Sequence, residues 1–334
     1  MKNTIDDLKM LQALPLDIKI RKTQLRIKEW YEMFDGNVYV SRSGGKDSDV
    51  LGDIVKKMYP DVPHVFVNTG LEHDSVMKHG IEVSDEVIRP KMRFDDVIIK
   101  YGYPVISKRI AQYTNSAKNN INCVCAKYLK GEIENTKYGG NGRYSFLINS
   151  PFKISNQCCY QMKKNPIEKY AKGINSRPFI GTMANESSQR SNKWIKSGCN
   201  AFNEKHPTSQ PLSFWTEQDI LHYIKLYSLE IAEAYGDIVY TDDDGMQYDN
   251  DIFNVGMNLI TTGESRTGCV FCMFGITHDT ERFVRLKERE PKKYDYVMRG
   301  GKFDEHGMWI PHNGLGYKFV IDWLNENGNL NIKC

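Results

Sequence analysis

A chain of 334 residues with 40% hydrophobic and 26% charged side chains has the composition of an ordinary soluble globular protein, and it is long enough to build a core without disulfide staples. The net charge of +3 is too small to argue for nucleic acid by itself, and no apolar run reaches the length of a membrane span. The first residues are mixed and carry Asp6 and Asp7, so no secretory leader and a cytoplasmic location are expected; eight cysteines then read as metal ligands or reactive thiols rather than disulfides.

In chain order, residues 4–34 place apolar side chains at helical spacing, broken at Pro15. Residues 37–41 are a short β-type run ending at Ser41. The turn Ser43-Gly44-Gly45-Lys46-Asp47-Ser48 follows, and Val50, Leu51, Ile54, Val55 and Met58 mark one face of a helix that Pro60 stops. Strands are expected at 64–68 and at Val87-Ile88, with a helix over 94–101. Residues 115–149 read as less regular, with a turn at Gly139-Gly140 and Gly142. A helix is expected over 158–170, a buried strand over 179–183 flanked by Pro178, and a helix over 217–227 capped by Thr216. Residues 242–250 read as an acidic surface loop, and 283–298 and 317–326 as helices. Alternation of strand and helix implies an α/β fold with a parallel twisted sheet. A change of texture near residue 150 is the best visible boundary.

The turn at 43–48 has the form of an anion cradle. Glycines let the backbone approach an anion closely. The free N–H groups of the following helix point at it. Ser43 and Ser48 add hydroxyls and Lys46 a point charge. Asp47 is out of place beside an anion unless a divalent cation joins it, which points to Mg²⁺. The spacing excludes the Walker-type loop and the dinucleotide fingerprint. A glycine-rich turn before a helix is the bland alternative.

This loop resembles that of the PP-loop ATP pyrophosphatases. Val67-Asn68-Thr69-Gly70-Leu71-Glu72 resembles the "DTGLE" segment of the phosphoadenosine phosphosulfate (PAPS) reductase family. The segment from Gly181 through Glu186, Ser187 and Arg190 resembles that family's later phosphate-side motif, and Pro211–Ile220 resembles its "PL…W…D" helix start. The chain is thereby identified as a member of that family over residues 38 to about 285. The resemblance implies a Rossmann-type sheet with helices on both faces, and a smaller, mostly helical C-terminal part carrying the C-x-x-C. The implied division is an N-terminal helical segment 1–35, a nucleotide-binding domain 36–230 and a cluster-binding region 231–334. It also implies that Ser41, the loop Ser43–Ser48, Asn68, Thr69, Gly70, Gly181, Glu186, Ser187 and Arg190 line an adenine-nucleotide site, with Lys46, Asp47 and Arg190 as the catalytic groups. Arg190 suits a phosphate or sulfate, since a guanidinium clamps such groups in a bidentate way. It suits equally a surface ion pair with Glu186 at i, i+4.

Cys158-Cys159 and Cys269-Val270-Phe271-Cys272 offer four thiolates, a set that suits zinc, an iron–sulfur cluster or buried free thiols. An adjacent pair is unusual for zinc and resembles the family's "CC…CxxC" pattern, which implies a [4Fe–4S] cluster. Lys193 and Lys196 are placed to activate Cys199. Cys123 and Cys125 form a weak ligand signal. Cys334 matches the family's tail cysteine in location only, without its flanking motif.

Two enzymatic readings follow. An intact Lys46-Asp47 favours an enzyme that adenylates a substrate, turning ATP into AMP and pyrophosphate, and supports sulfur transfer. The acceptor would be a nucleotide or a nucleic acid, to which the lysines from Lys153 to Lys205 are suited, and the donor a protein such as a cysteine desulfurase. The family is similar in this to the DNA phosphorothioation proteins. The alternative is a sulfonucleotide reductase that releases sulfite from PAPS or its 3′-dephospho form, APS. A third reading, of another class, is a nucleotide- and cluster-sensing protein that docks a partner without turnover.

Overall fold

The structure is a computed structural model and describes residues 3–133, 142–242, 244–249 and 257–334. Its contacts divide the chain into two compact units, each drawn from two stretches: Met1–Arg89 with Ile167–Gly268, and Pro90–Pro166 with Cys269–Cys334. The units interleave along the chain, where the family resemblance implies three successive parts.

In the first stretch, α1 (Ile5–Gln12) and α2 (Leu16–Met33) separate at Pro15, which lacks the N–H a continuing helix needs. β1 (Val38–Arg42) is buried along nearly its whole length, as suits a central strand of a parallel sheet. α3 (Lys46–Met58) buries Val50, Leu51, Ile54 and Val55, the expected face. β2 (His64–Val67), α4 (Asp74–Glu82) and β3 (Glu86–Ile88) complete the stretch.

The second stretch holds α5 (Phe94–Tyr101), β4 (Val105–Ile106), α6 (Lys108–Asn119) and α7 (Val124–Lys130). The last two correct the expected irregularity after residue 115. Ser107 caps α6 by accepting the Ile110 N–H at 3.2 Å, and Ala111, Thr114 and Ala117 form its buried face. Its Asn and Ser residues are poor helix formers, which hid it. The Gly139-Gly140 turn lies outside the described residues. After Cys158-Cys159 the expected helix opens as a π-turn at Tyr160–Lys164, in which the Asn165 N–H reaches back to the Tyr160 carbonyl. It then becomes α8 (Asn165–Gly173).

The third stretch contains β5 (Arg177–Ile180), α9 (Ser188–Ser197), β6 (Asn200–Ala201), β7 (Thr208–Ser209), α10 (Glu217–Tyr227), β8 (Ile238–Thr241), β9 (Gln247–Tyr248) and β10 (Asn258–Thr261). β5 begins earlier than expected and includes Pro178. The Arg177 N–H donates to Asn37 of the chain entering β1, so the next nitrogen faces β7, whose pairing starts only at Phe179 with Ser209. The missing proline donor therefore leaves no ladder bond unmade. The expected acidic loop is in part a tight hairpin: the Asp242 carboxylate accepts the N–H groups of Asp244 and Met246. Asp243, Asn250 and Asp251 lie outside the described residues.

The fourth stretch holds β11 (Met273–Phe274), α11 (Arg282–Arg289), α12 (Pro291–Met298), β12 (Lys302–Phe303), β13 (Trp309–Ile310) and α13 (Tyr317–Gly328). The single helix expected over 283–298 is two, because Pro291 starts a new helix and cannot continue the old one.

The fold is α/β. The main sheet has the order β3-β2-β1-β5-β7-β6 and is parallel except for the β6–β7 pair. Ile27, Trp30, Val40, Leu51, Phe179 and Trp215 share the core between this sheet and its flanking helices. The second unit is mostly helical and carries the C-x-x-C. Its core is aromatic: the Tyr103 ring meets Phe152 and Tyr317 at 5.6 Å, and each tyrosine hydroxyl donates to a main-chain carbonyl at 2.8 Å.

Candidate functional site

β1 is flanked by β2 on one side and β5 on the other, so the strand order reverses beside it. In open α/β sheets the crevice at such a reversal, beyond the carboxyl ends of the strands, is where ligands bind. Three of the sequence-derived segments leave those ends: Ser43–Ser48 after β1, Asn68–Gly70 after β2, and Gly181 after β5.

The loop itself is tightly folded. Gly44 has φ +71°, and a Cβ there would stand 2.5 Å from the Val76 carbonyl, so only glycine fits. Gly181 is needed for a different reason: a Cβ would meet the Asp47 carbonyl at 2.8 Å. The two hydroxyls expected to face an anion are engaged within the loop. Ser48 Oγ donates to the Gly45 carbonyl at 2.8 Å and accepts the Ser43 N–H at 3.1 Å. The loop is braced from below by Arg42, whose guanidinium donates to the Ser48 carbonyl and to Asp49, both at 2.8 Å. Asp49 also meets His79 Nε2 at 3.0 Å.

Lys46 is 3% exposed, with its ammonium 2.6 Å from the Ser265 carbonyl and 3.0 Å from Glu217. Its main-chain N–H donates to the Tyr235 hydroxyl at 3.2 Å, and that hydroxyl lies 2.6 Å from Thr267 Oγ1. Asp47 has a buried Oδ1 with no hydrogen-bond partner among the described residues. Burial raises its carboxyl above the ordinary range, opposed by Lys46, Arg266 and Arg190. Arg190 forms the anticipated ion pair with Glu186, while Arg266 approaches the same carboxylate at 3.8 Å. Burial and Arg266 together lower the Arg190 guanidinium. Ser187 caps α9 by accepting the Arg190 N–H at 3.3 Å.

Asn68 Oδ1 accepts the Gly70 N–H at 3.1 Å, and Thr69 Oγ1 donates to Glu72 at 2.8 Å, so this strand end is a self-bonded turn with Gly70 open to solvent. Ser41 lies within β1, paired with Val65 and Ile180. Sequence reasoning missed Arg42, Asp49, Tyr235, Ser265, Arg266 and Thr267. None belongs to a motif it used, and Arg266 is marked only by its place three residues before Cys269.

All four motif cysteines fall in the second unit. Cys158 and Cys159 are hydrogen-bonded to each other, and Cys158 feels the charge of Cys272 and Cys269. That hydrogen bond lowers the Cys159 thiol to about 6 against its burial, with Lys108 and Lys163 adding to the effect. Cys272 Sγ accepts the Phe274 N–H at 3.4 Å. Among the described residues no group of three or more His, Cys, Asp or Glu is already arranged to hold a metal ion. The expected activation of Cys199 is corrected: burial pushes its thiol up, and its neighbour is Ser213 Oγ at 3.3 Å. Burial likewise raises the Cys334 thiol. The lysines between Lys153 and Lys205 are shared between the two units, and Lys193 is tied to Thr208 at 3.0 Å.

Residues 37–122 and 104–241 match the family described as "Phosphoadenosine phosphosulfate reductase domain". The chain is 26% identical over 209 residues to an adenosine 5′-phosphosulfate reductase of Staphylococcus haemolyticus, covering 62% of this chain and 69% of the relative. It is 25% identical over 219 residues to the protein of that name from Staphylococcus epidermidis, covering 64% and 72%. Among solved structures, the PAPS reductase of Candida auris in a phosphate complex is 14% identical, with a TM-score of 0.38 and coverage of 70% of this chain and 91% of that one. No helix among the described residues is long and apolar enough to cross a membrane.

Proposed function

This chain belongs to the phosphoadenosine phosphosulfate reductase domain family, matched over more than half its length, and from that premise we propose that it is a sulfonucleotide reductase acting on APS or PAPS. The observation that carries the reading is the loop at the strand-order reversal, where Lys46, Arg190 and Arg266 gather around a buried acidic residue. An adenylyl sulfate brings negative charge to that place. The remaining loop amides, with Arg190 and Arg266, hold the phosphate end, and Asn68 to Gly70 border the nucleoside.

In the reaction a thiolate attacks the sulfate sulfur. A sulfur–sulfur bond forms, the sulfur–oxygen bond to the phosphate breaks, and the adenine nucleotide leaves with the electron pair. A dithiol protein such as thioredoxin then releases sulfite and ends oxidised. Cys334, which matches the family's tail cysteine in location, is the first residue of this chain to test as the attacking thiol.

The donor set in the second unit fits an iron–sulfur cluster: four thiols, with Cys158 feeling the charge of the other three, and a backbone N–H directed at Cys272 Sγ. Cys158, Cys159, Cys269 and Cys272 would hold a [4Fe–4S] cluster, which supplies a redox-capable inorganic centre. A brown absorbance in anaerobically purified protein, lost in Cys158→Ala, is expected; a colourless protein containing zinc overturns this.

The second reading, ATP cleavage to AMP and pyrophosphate in support of sulfur transfer, is favoured by one observation: Lys46 and Asp47 are both present. The orphan oxygen of Asp47 suits Mg²⁺, which takes one or two carboxylates and fills its shell from water and phosphate. A protein sulfur donor and a nucleotide or nucleic-acid acceptor belong to this reading. One experiment separates the possibilities. Anaerobic protein is given labelled APS or PAPS with thioredoxin, and in parallel ATP labelled at the α-phosphate. Sulfite without AMP from ATP supports the reductase; AMP plus pyrophosphate without sulfite supports ATP cleavage. Tight nucleotide binding with neither product leaves the sensor reading.

A further inference from the structure

The lysine end of the phosphate loop is covered by the protein's own side chains. The first amide of α3, on Lys46, is one of the unpaired donors a helix start offers to an anion. Here it donates to the Tyr235 hydroxyl at 3.2 Å. Tyr235 is 2% exposed, and its hydroxyl is fixed from the other side by Thr267 at 2.6 Å. A Cβ built on Gly45 would meet that hydroxyl at 3.0 Å and Thr267 Oγ1 at 3.4 Å, so the two hydroxyls stand directly against the loop backbone on the side of Gly45. The lysine is engaged as well. Its ammonium is bound by Glu217 at 3.0 Å and by the Ser265 carbonyl at 2.6 Å, and it lies 5.1 Å from the centre of the Tyr235 ring.

We infer that Tyr235 and Glu217 are specificity-determining residues that close the lysine end of the loop against a diphosphate, so that the loop accepts an adenine nucleotide whose α-phosphate carries a single sulfate. This rests on the reductase reading above. A diphosphate reaching Lys46 would have to displace a buried hydroxyl from the helix amide and approach the Glu217 carboxylate, which already neutralises the lysine. A sulfate ester is smaller and carries less charge, and it leaves that end undisturbed. The other cations of the site, Arg190 and Arg266, lie by Glu186 and stay in reach of the α-phosphate side. Discrimination then comes from an element that opposes the wrong ligand, in addition to contacts that favour the right one.

The test is calorimetric titration of the full chain with inorganic pyrophosphate, ATP and APS, for the wild type, Tyr235→Phe and Glu217→Gln. Each substitution removes one competitor for Lys46. Each is expected to tighten pyrophosphate and ATP by about tenfold while shifting APS by less than about twofold. A merely structural tyrosine would give the opposite sign, since its loss would weaken every ligand. Glu217 is part-exposed, so its variant keeps the test alive if Tyr235→Phe fails to fold. Unchanged or weaker pyrophosphate binding in Glu217→Gln overturns the inference, as does a wild type that binds pyrophosphate as tightly as APS. Failure of the reductase reading looks different: the wild type then makes no sulfite from either sulfonucleotide, whatever the variants bind.

Discussion

Arg42 joins the core to the chemistry at the scale of one side chain. It is 6% exposed and ties the last carbonyl of the phosphate loop to Asp49. Arg42→Met leaves Asp49 buried with His79 as its remaining side-chain partner among the described residues. The expected cost is about 3 kcal/mol of stability and a loss of nucleotide affinity of tenfold or so, read by urea denaturation and by titration with APS. His64 gives a second residue-scale expectation. Burial and the Arg42 charge push its imidazole down to about 4, below its ordinary 6.5. As pH falls the unfolded chain takes up this proton first. The stabilisation is therefore complete above about pH 6.5 and is lost as pH drops through the window down to about 4. Denaturation midpoints at pH 7 and pH 5 are expected to differ more in the wild type than in His64→Gln; equal differences would refute the assignment. Neither residue was legible in the sequence. The phosphate loop was, because strand, glycine turn and helix follow one another locally. Tyr235 was not, since it acts on Lys46 across 189 residues and belongs to no motif.

Helices and strands were legible where their signals are local. α10 begins where Thr216 promises, with Asp219 completing the capping box and also accepting from Lys19 at 2.6 Å. That second bond spans two helices and could not be read from either. Lys19 is 2% exposed, so removing its partner strands a charge in the core. Asp219→Ala is expected to cost about 3–5 kcal/mol, with Lys19→Met costing much less; thermal denaturation of the two variants checks the asymmetry, and equal losses would count against it. Elements were misread where packing overrides propensity. α6 forms from polar residues because Ala111, Thr114 and Ala117 find a core, and β5 tolerates Pro178 because the proline nitrogen faces β7, whose pairing begins only at Phe179.

For the whole molecule, the α/β class followed from the alternation of elements, but the grouping of the stretches did not. Interleaving depends on which distant segments pack, and composition carries no trace of it. A fragment ending at residue 230 would lack Tyr235 and the segment Ser265–Thr267, both of which belong to the first unit. It is expected to bind a hydrophobic dye and to show no sharp unfolding transition; a cooperative, nucleotide-binding fragment would refute the grouping.

The position of β5 next to β1 also sets a timetable for synthesis. Strand β1 ends at Arg42, and its partner on that side ends at Ile180. At ribosomal speeds of about 5–20 residues per second, the central strand waits roughly 7–28 s with one edge unpaired. During that wait the nascent chain carries an apolar edge of the kind that pairs with strangers, so folding yield in the cell should depend more on chaperones that shelter emerging chains than on the stability of the finished protein.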